Sequence, residues 1–183
     1  VISVNLQGAT SPVEIIIDGY SAPLTAGNFL RNVNEGLYRG SSIAVEGKST
    51  VFVRPSGDPA SEKPLPLEVR IKDEFLPEYR QALDVTTGDY PALPLSIYGA
   101  VAMAHGPDDT LSSPSEFFIY KFDRASMGGL GGMSFEEGQF SVFGYVTEES
   151  RDALEAVRDG SRIETIQVLK GGDRLVVPSA EAA

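Results

Sequence analysis

Few residues in this chain are equipped for covalent chemistry. It has one histidine, His105, and no cysteine. Thiolate nucleophiles and disulfides are therefore excluded, and the usual ligand set for a zinc ion is missing. A lone histidine is more often structural than catalytic. The residues that invite a chemical reading are an aromatic and a cation in alternation. In Thr50-Val-Phe-Val-Arg54 an extended backbone turns Phe52 and Arg54 to the same face, with a guanidinium beside an apolar ring. Alternation establishes that shared face and assigns the pair no ligand. Spacing alone also allows a plainer reading, in which Phe52 and Phe118 are core and Arg54 is a solvent-facing charge at a strand end.

The balance of charge narrows the partners. The net charge is −11 at pH 7 over 183 residues, which argues against a nucleic-acid ligand, whose backbone calls for clustered Lys and Arg. The same field repels an anionic membrane surface. No apolar run approaches the roughly 20 residues of a membrane-spanning helix. Residues 1–6 read as a strand start rather than as a signal peptide, lacking both its basic and its apolar region.

The elements that must position these residues are mostly short strands. Apolar alternation or β-branched runs mark them at 1–6, 13–18, 50–53, 67–71, 100–103, 116–120, 140–146 and 163–168. Two segments change period. Ala26, Phe29, Leu30, Val33 and Leu37 recur at helical spacing behind Pro23. Thr147 precedes a second helix expected over 148–159, with acidic residues in its first turn and Gly160 after it. Residues 38–49 read as a glycine- and serine-rich connection, 59–66 as a proline-rich loop, 72–94 as an irregular stretch, and 127–133 as a glycine-rich insertion. Many short strands with regular turn signals predict an all-β sandwich or barrel, and two isolated helices suit a barrel with ends to cover. Residues 1–178 form one domain in this reading, followed by a tail over 179–183.

Several segments, taken together and in order, resemble a cyclophilin. Pro23-Leu-Thr-Ala-Gly-Asn-Phe29 is similar to that family's first-helix motif, and Gly36-Leu-Tyr-Arg-Gly40 to its Gly-x-Tyr-x-Gly turn. Phe52 through Gly57-Asp58 resembles the family's Phe-x-x-Gln-x-Gly-Asp strand. Ala102-Met-Ala104, Glu116-Phe-Phe-Ile119 and Phe140-Ser-Val-Phe-Gly144 fall on its other signature strands. The segments Glu62-Lys-Pro-Leu-Pro-Leu-Glu-Val69, Leu95-Ser-Ile-Tyr-Gly-Ala100 and Phe143-Gly-Tyr-Val-Thr147 are closer to the large cyclophilins of the plant and algal thylakoid lumen. Those members also carry an N-terminal helical domain that this sequence does not contain. The resemblance implies a mainly β fold, a closed eight-stranded antiparallel barrel capped by two α-helices.

It also implies an activity, prolyl cis–trans isomerisation. That process is slow without help because the amide must lose partial double-bond character. No cofactor or metal is needed. The site needs an apolar pocket for the proline ring, hydrogen bonds to the flanking peptide, and a donor that weakens amide resonance. The resemblance places Phe52 and Phe118 in the pocket and Ala104 on the peptide-binding strand. His105 takes an asparagine position, Glu116 a glutamine, Phe135 a tryptophan and Phe140 a histidine. The family's arginine falls on Val45, which has no donor. Arg54 is the nearby replacement, in a segment about two residues longer than usual and around the position of the family's glutamine.

Three functions follow as expectations. The chain binds X-Pro segments of protein partners with weak or lost isomerase activity, in the thylakoid lumen, and helps assemble or stabilise a photosynthetic membrane complex on its lumenal face. Alternatively it is an active isomerase and folding helper, or a purely structural subunit of such a complex. Function resides in the site rather than the fold.

Overall fold

The computed structural model of the chain describes residues 1–56, 63–106, 110–129 and 131–176. Gly57-Asp58, Pro59, Glu62, Pro107 and the expected tail over 179–183 lie outside the described residues. In chain order the elements begin β1 (Ile2–Leu6), β2 (Val13–Ile17), α1 (Pro23–Asn34), β3 (Ser42–Glu46) and β4 (Thr50–Arg54). Three two-residue strands follow, β5 (Leu65–Pro66), β6 (Glu68–Val69) and β7 (Glu78–Tyr79), then the longer β8 (Tyr98–Met103). The remainder is β9 (Leu111–Ser112), β10 (Phe117–Lys121), α2 (Arg124–Met127), β11 (Val142–Val146), α3 (Arg151–Glu155) and β12 (Ile163–Val168).

Eight strands make one antiparallel sheet in the order β12-β1-β2-β11-β8-β10-β4-β3. Its two edges then meet. Ile43 N–H donates to Ser161 O at 2.9 Å, Gly160 N–H to Ile43 O at 2.9 Å, and Ile163 N–H to Ser41 O at 3.0 Å. This seam closes the sheet into a barrel. Closure removes the free edges that an open sheet exposes. Where β11 crosses β2, a side chain at Gly144 would collide with Ile16 O, so the strands approach this closely only because residue 144 lacks a Cβ.

Period-two alternation sorts each strand into an inward and an outward set. Val51 and Val53 of β4, Phe117 and Ile119 of β10, and Val101 and Met103 of β8 point into the barrel. There they meet Phe29 and Val33 of α1 and Leu154 of α3. The centre is aromatic: the Phe29 ring lies 4.9 Å from Phe143, 5.1 Å from Phe117 and 5.4 Å from Tyr38. The outward set of the same strands forms a second apolar cluster, Ala100, Ala102, Phe118 and Val142, roofed by Leu95. A sheet apolar on both faces needs covering on both, and residues 67–97 supply part of that cover through a third cluster of Leu67, Val69 and Leu83.

Three elements differ from the sequence expectation. Strand β3 replaces part of the connection expected over 38–49, because its polar outward residues and flanking glycines hide the alternation of Ile43 and Val45. The strand expected over 67–71 keeps only two ladder residues. The second helix is a 3₁₀ turn, Glu148–Ser150, running into the five-residue α3.

The start of α1 has no capping side chain of its own, since Ala22 precedes Pro23. Orphan N–H groups at a helix start need acceptors. Glu68, fully buried, provides them from β6: it accepts from Leu24 N at 3.1 Å, from Thr25 N at 2.8 Å, and from the Tyr79 hydroxyl at 3.0 Å.

Tyr79→Phe removes one of these three donors, and the expected cost is about 1 kcal/mol of unfolding free energy at pH 7 by urea denaturation. Burial, and after it the charge of Glu68, pushes the Tyr79 phenol up to about 12 from its ordinary 10.0. A raised value means that the contribution of the neutral phenol is whole below pH 10 and is lost as pH passes 12. The stability gap between wild type and variant should therefore narrow across that window. A gap that stays constant would mean the phenol is not bonded to Glu68.

Candidate functional site

The outward cluster opens on one side as a groove of about 330 Å³, lined by Phe52, Phe118, Phe140, Leu95, Ala104 and His105, with Glu46, Thr50, Gly106, Tyr120 and Glu136 around them. The register of the strands builds its floor. Phe118 of β10 pairs with Phe52 of β4 on one side and Ala102 of β8 on the other. The Phe52 and Phe118 rings are 5.5 Å apart, and Phe140 stands edge-on to Phe118 at 5.0 Å. His105 stacks on Phe140 at 4.4 Å, its Nδ1 lying 2.9 Å from Gly106 O and its Nε2 3.1 Å from Gln139 O. The ring thus fastens two loop carbonyls to the groove mouth.

Ala104 continues the line of β8. Its N–H donates to Glu116 O at 2.9 Å and its carbonyl accepts from Ser113 N at 2.7 Å. Both polar groups are used within the protein, so Ala104 presents its methyl group to the groove.

Leu95 is held in place by Glu137, a second buried carboxylate that the sequence reading missed. It accepts from Leu95 N at 2.7 Å and Ser96 N at 2.8 Å, and the Ser96 hydroxyl donates to it as well. The Tyr145 hydroxyl donates to Pro94 O at 2.8 Å. Burial, followed by the charge of Glu137, raises that phenol well above its ordinary value. Gly138 follows with φ +82°, and a Cβ there would sit 2.5 Å from Leu83 O. These contacts lock residues 94–96 over the outward cluster. Neither Glu137 nor Leu95 has a local signal in the sequence: Glu137 is the second of two acids in the mostly polar stretch 134–141.

Arg54 stands at the rim. Its guanidinium lies 5.8 Å from the centre of the Phe52 ring. It sits between two carboxylates, with Nη2 3.7 Å from Glu46 and Nε 3.9 Å from Glu116. All three side chains are about half exposed, so each pair is a weak, screened one. Arg54 and Phe52 do share a face, as alternation implies.

Val45 does not face the groove. It pairs with Val51, and both pack toward the barrel interior. The outward positions of β3 are Ser42, Ala44 and Glu46, and Ala44 is the one directly opposite Phe52. Val45 therefore takes the face opposite to that of Ala44, as period-two alternation requires, and offers nothing to a ligand in the groove. Phe135 also lies apart: it is 86% exposed, and its ring rests beside Gly129 rather than among the groove residues. Its neighbour Glu136 lines the groove instead. Glu116 is not among the lining residues, and its carboxylate meets Arg54 at the rim.

Comparison with known proteins places this geometry. The family model for "Cyclophilin type peptidyl-prolyl cis-trans isomerase/CLD" matches residues 1–174. The chain is 46% identical over 173 residues to the chloroplastic peptidyl-prolyl cis-trans isomerase CYP37 of Arabidopsis thaliana, covering 94% of this chain and 36% of that protein. It is 32% identical over 188 residues to sll0408 of Synechocystis, a protein named for the thylakoid lumen and for peptidyl-prolyl isomerisation, covering 95% of this chain and 48% of that protein. The chain thus spans less than half the length of these relatives. Among solved structures, a Cryptosporidium parvum cyclophilin crystallised in the presence of the dipeptide Ala-Pro superposes with a TM-score of 0.58 at 17% identity, covering 93% of this chain and 99% of that one. AquaCyp293 from Hirschia baltica gives 0.60 at 14% identity, covering 91% of this chain and 72% of that one. With the family pattern matched from residue 1 to residue 174 and the eight-stranded barrel formed, the chain belongs to the cyclophilin-type peptidyl-prolyl cis-trans isomerase family.

Proposed function

We propose that this chain is a holder of X-Pro segments in the thylakoid lumen, isomerising them slowly or not at all, in the service of a photosynthetic membrane complex. The observation that carries the reading is the composition of the groove. Its apolar half is complete, with Phe52, Phe118, Phe140 and Leu95 converging on one cavity. Its polar half is not. Ala44 stands opposite Phe52, and β3 sends no guanidinium to the groove face. An amide held in such a groove gains burial of its proline ring without the donor that draws electrons from the C–N bond. Loss of one preorganised donor costs on the order of 10²–10³ in rate at comparable sites. The lumenal setting is supported by the relatives named for chloroplast and thylakoid lumen. Among the described residues no helix is long and apolar enough to cross a membrane.

A second reading rests on Arg54. Its place above Phe52 is suited to donation into the groove, and released from Glu46 and Glu116 it would make the chain an active isomerase.

Exchange NMR on a short Ala-Pro peptide separates these readings. The holding reading expects line positions of Ala104 and Phe118 to shift with peptide, and isomerisation close to the uncatalysed rate. Ala44→Arg places a guanidinium opposite Phe52 and should raise the rate at least about tenfold. Val45→Arg should not: a cation turned toward the core destabilises the barrel by about 2 kcal/mol or more, measurable by urea denaturation. A fast wild type that Arg54→Ala silences while peptide affinity persists would establish the second reading. A groove that no peptide perturbs would leave a structural subunit.

A further inference from the structure

We infer that the groove selects proline segments flanked by lysine or arginine, an inference that rests on the reading of the groove as an X-Pro site. The walls that meet the proline ring are apolar, but the rim is acidic. Glu46, at the end of β3, and Glu136, in the loop before β11, both line the groove, and no lysine or arginine lies among its described lining residues. Glu116 adds a third carboxylate at the edge. Arg54 is the cation beside them, and it is already divided between Glu46 and Glu116. These three carboxylates and one guanidinium together carry two negative charges.

This rim surrounds an apolar cavity, and low-dielectric walls concentrate the field of charges set at their edge. The pairs to Arg54 are longer than a good hydrogen bond and half exposed, so an incoming cation can take either carboxylate without a large penalty. Glu136 has no ion pair with any described residue, and it stands immediately before the buried Glu137 that fixes its loop. The chain's net charge of −11 adds a longer-range pull in the same direction. An acidic flank on the peptide would instead face Glu46 and Glu136, and the described lining residues include no lysine or arginine to receive it.

The test uses three capped peptides sharing an Ala-Pro core, flanked on both sides by lysine, glutamine or glutamate, titrated by heteronuclear NMR. The lysine peptide should bind about three- to tenfold more tightly than the glutamate peptide at low salt, as two exposed ion pairs allow. The preference should shrink as ionic strength rises past about 0.15 M. It should vanish in the double variant Glu46→Gln/Glu136→Gln, whose exposed positions leave the fold intact. Equal affinities, with Ala104 and Phe118 still responding, would overturn the charge preference and leave the groove reading standing. Tighter binding of the glutamate peptide would overturn it in favour of Arg54 as the recognition group. Silence of those resonances toward all three peptides would overturn the groove reading and this inference together.

Discussion

The antiparallel register of β4 against β10 and β3 decides which side chains can meet on this protein. With Phe52 opposite both Phe118 and Ala44, one face of these strands fills the barrel and the other builds the groove. Each residue serves one of the two, and the choice has period two. The same hydrogen-bond ladder therefore fixes the core and the site at once. A shift of one residue would bury Arg54 and expose Val53, so the barrel cannot slip without losing both.

Two buried carboxylates do the corresponding work outside the ladder. Glu68 and Glu137 come from different parts of the chain, yet each accepts from two consecutive backbone amides and one hydroxyl. A buried carboxylate without partners would cost several kcal/mol. Donors to a charged acceptor are among the stronger hydrogen bonds, and here they fasten irregular backbone to the barrel. Glu68 holds the start of α1 at one side, and Glu137 holds Leu95 over the groove at another. The long segment from 67 to 97 is thereby ordered with little regular secondary structure of its own.

Much of this was legible in the sequence. The alternation in Thr50–Arg54 and Phe117–Lys121 gives strands, and it correctly puts Phe52 and Arg54 on one face. The first helix shows in its spacing from Ala26 to Val33. The family motifs locate the groove through Phe52, Ala104, Phe118 and Phe140. What fails to show is whatever depends on pairing between distant segments. The orientation of Val45 is set by its register against Val51, and nothing local distinguishes it from Ala44. Glu68 and Glu137 look like ordinary surface acids until the amides they cap are brought to them from more than forty positions away. Phe135 shares its type with the groove aromatics but belongs to a loop that carries it elsewhere.

The seam between Ser41–Ile43 and Gly160–Ile163 joins the first third of the chain to its last strand. A contact of such long sequence separation carries its loop-closure entropy before it returns any stabilisation. The β1–β12 ladder, Ile2 opposite Val168, carries a similar cost at the same edge of the sheet. Without the seam, β3 and β12 would be open edges with unpaired amides, able to pair with another chain. In a sheet that joins its own two ends, the same few hydrogen bonds that complete the barrel also deny those edges to a neighbouring molecule.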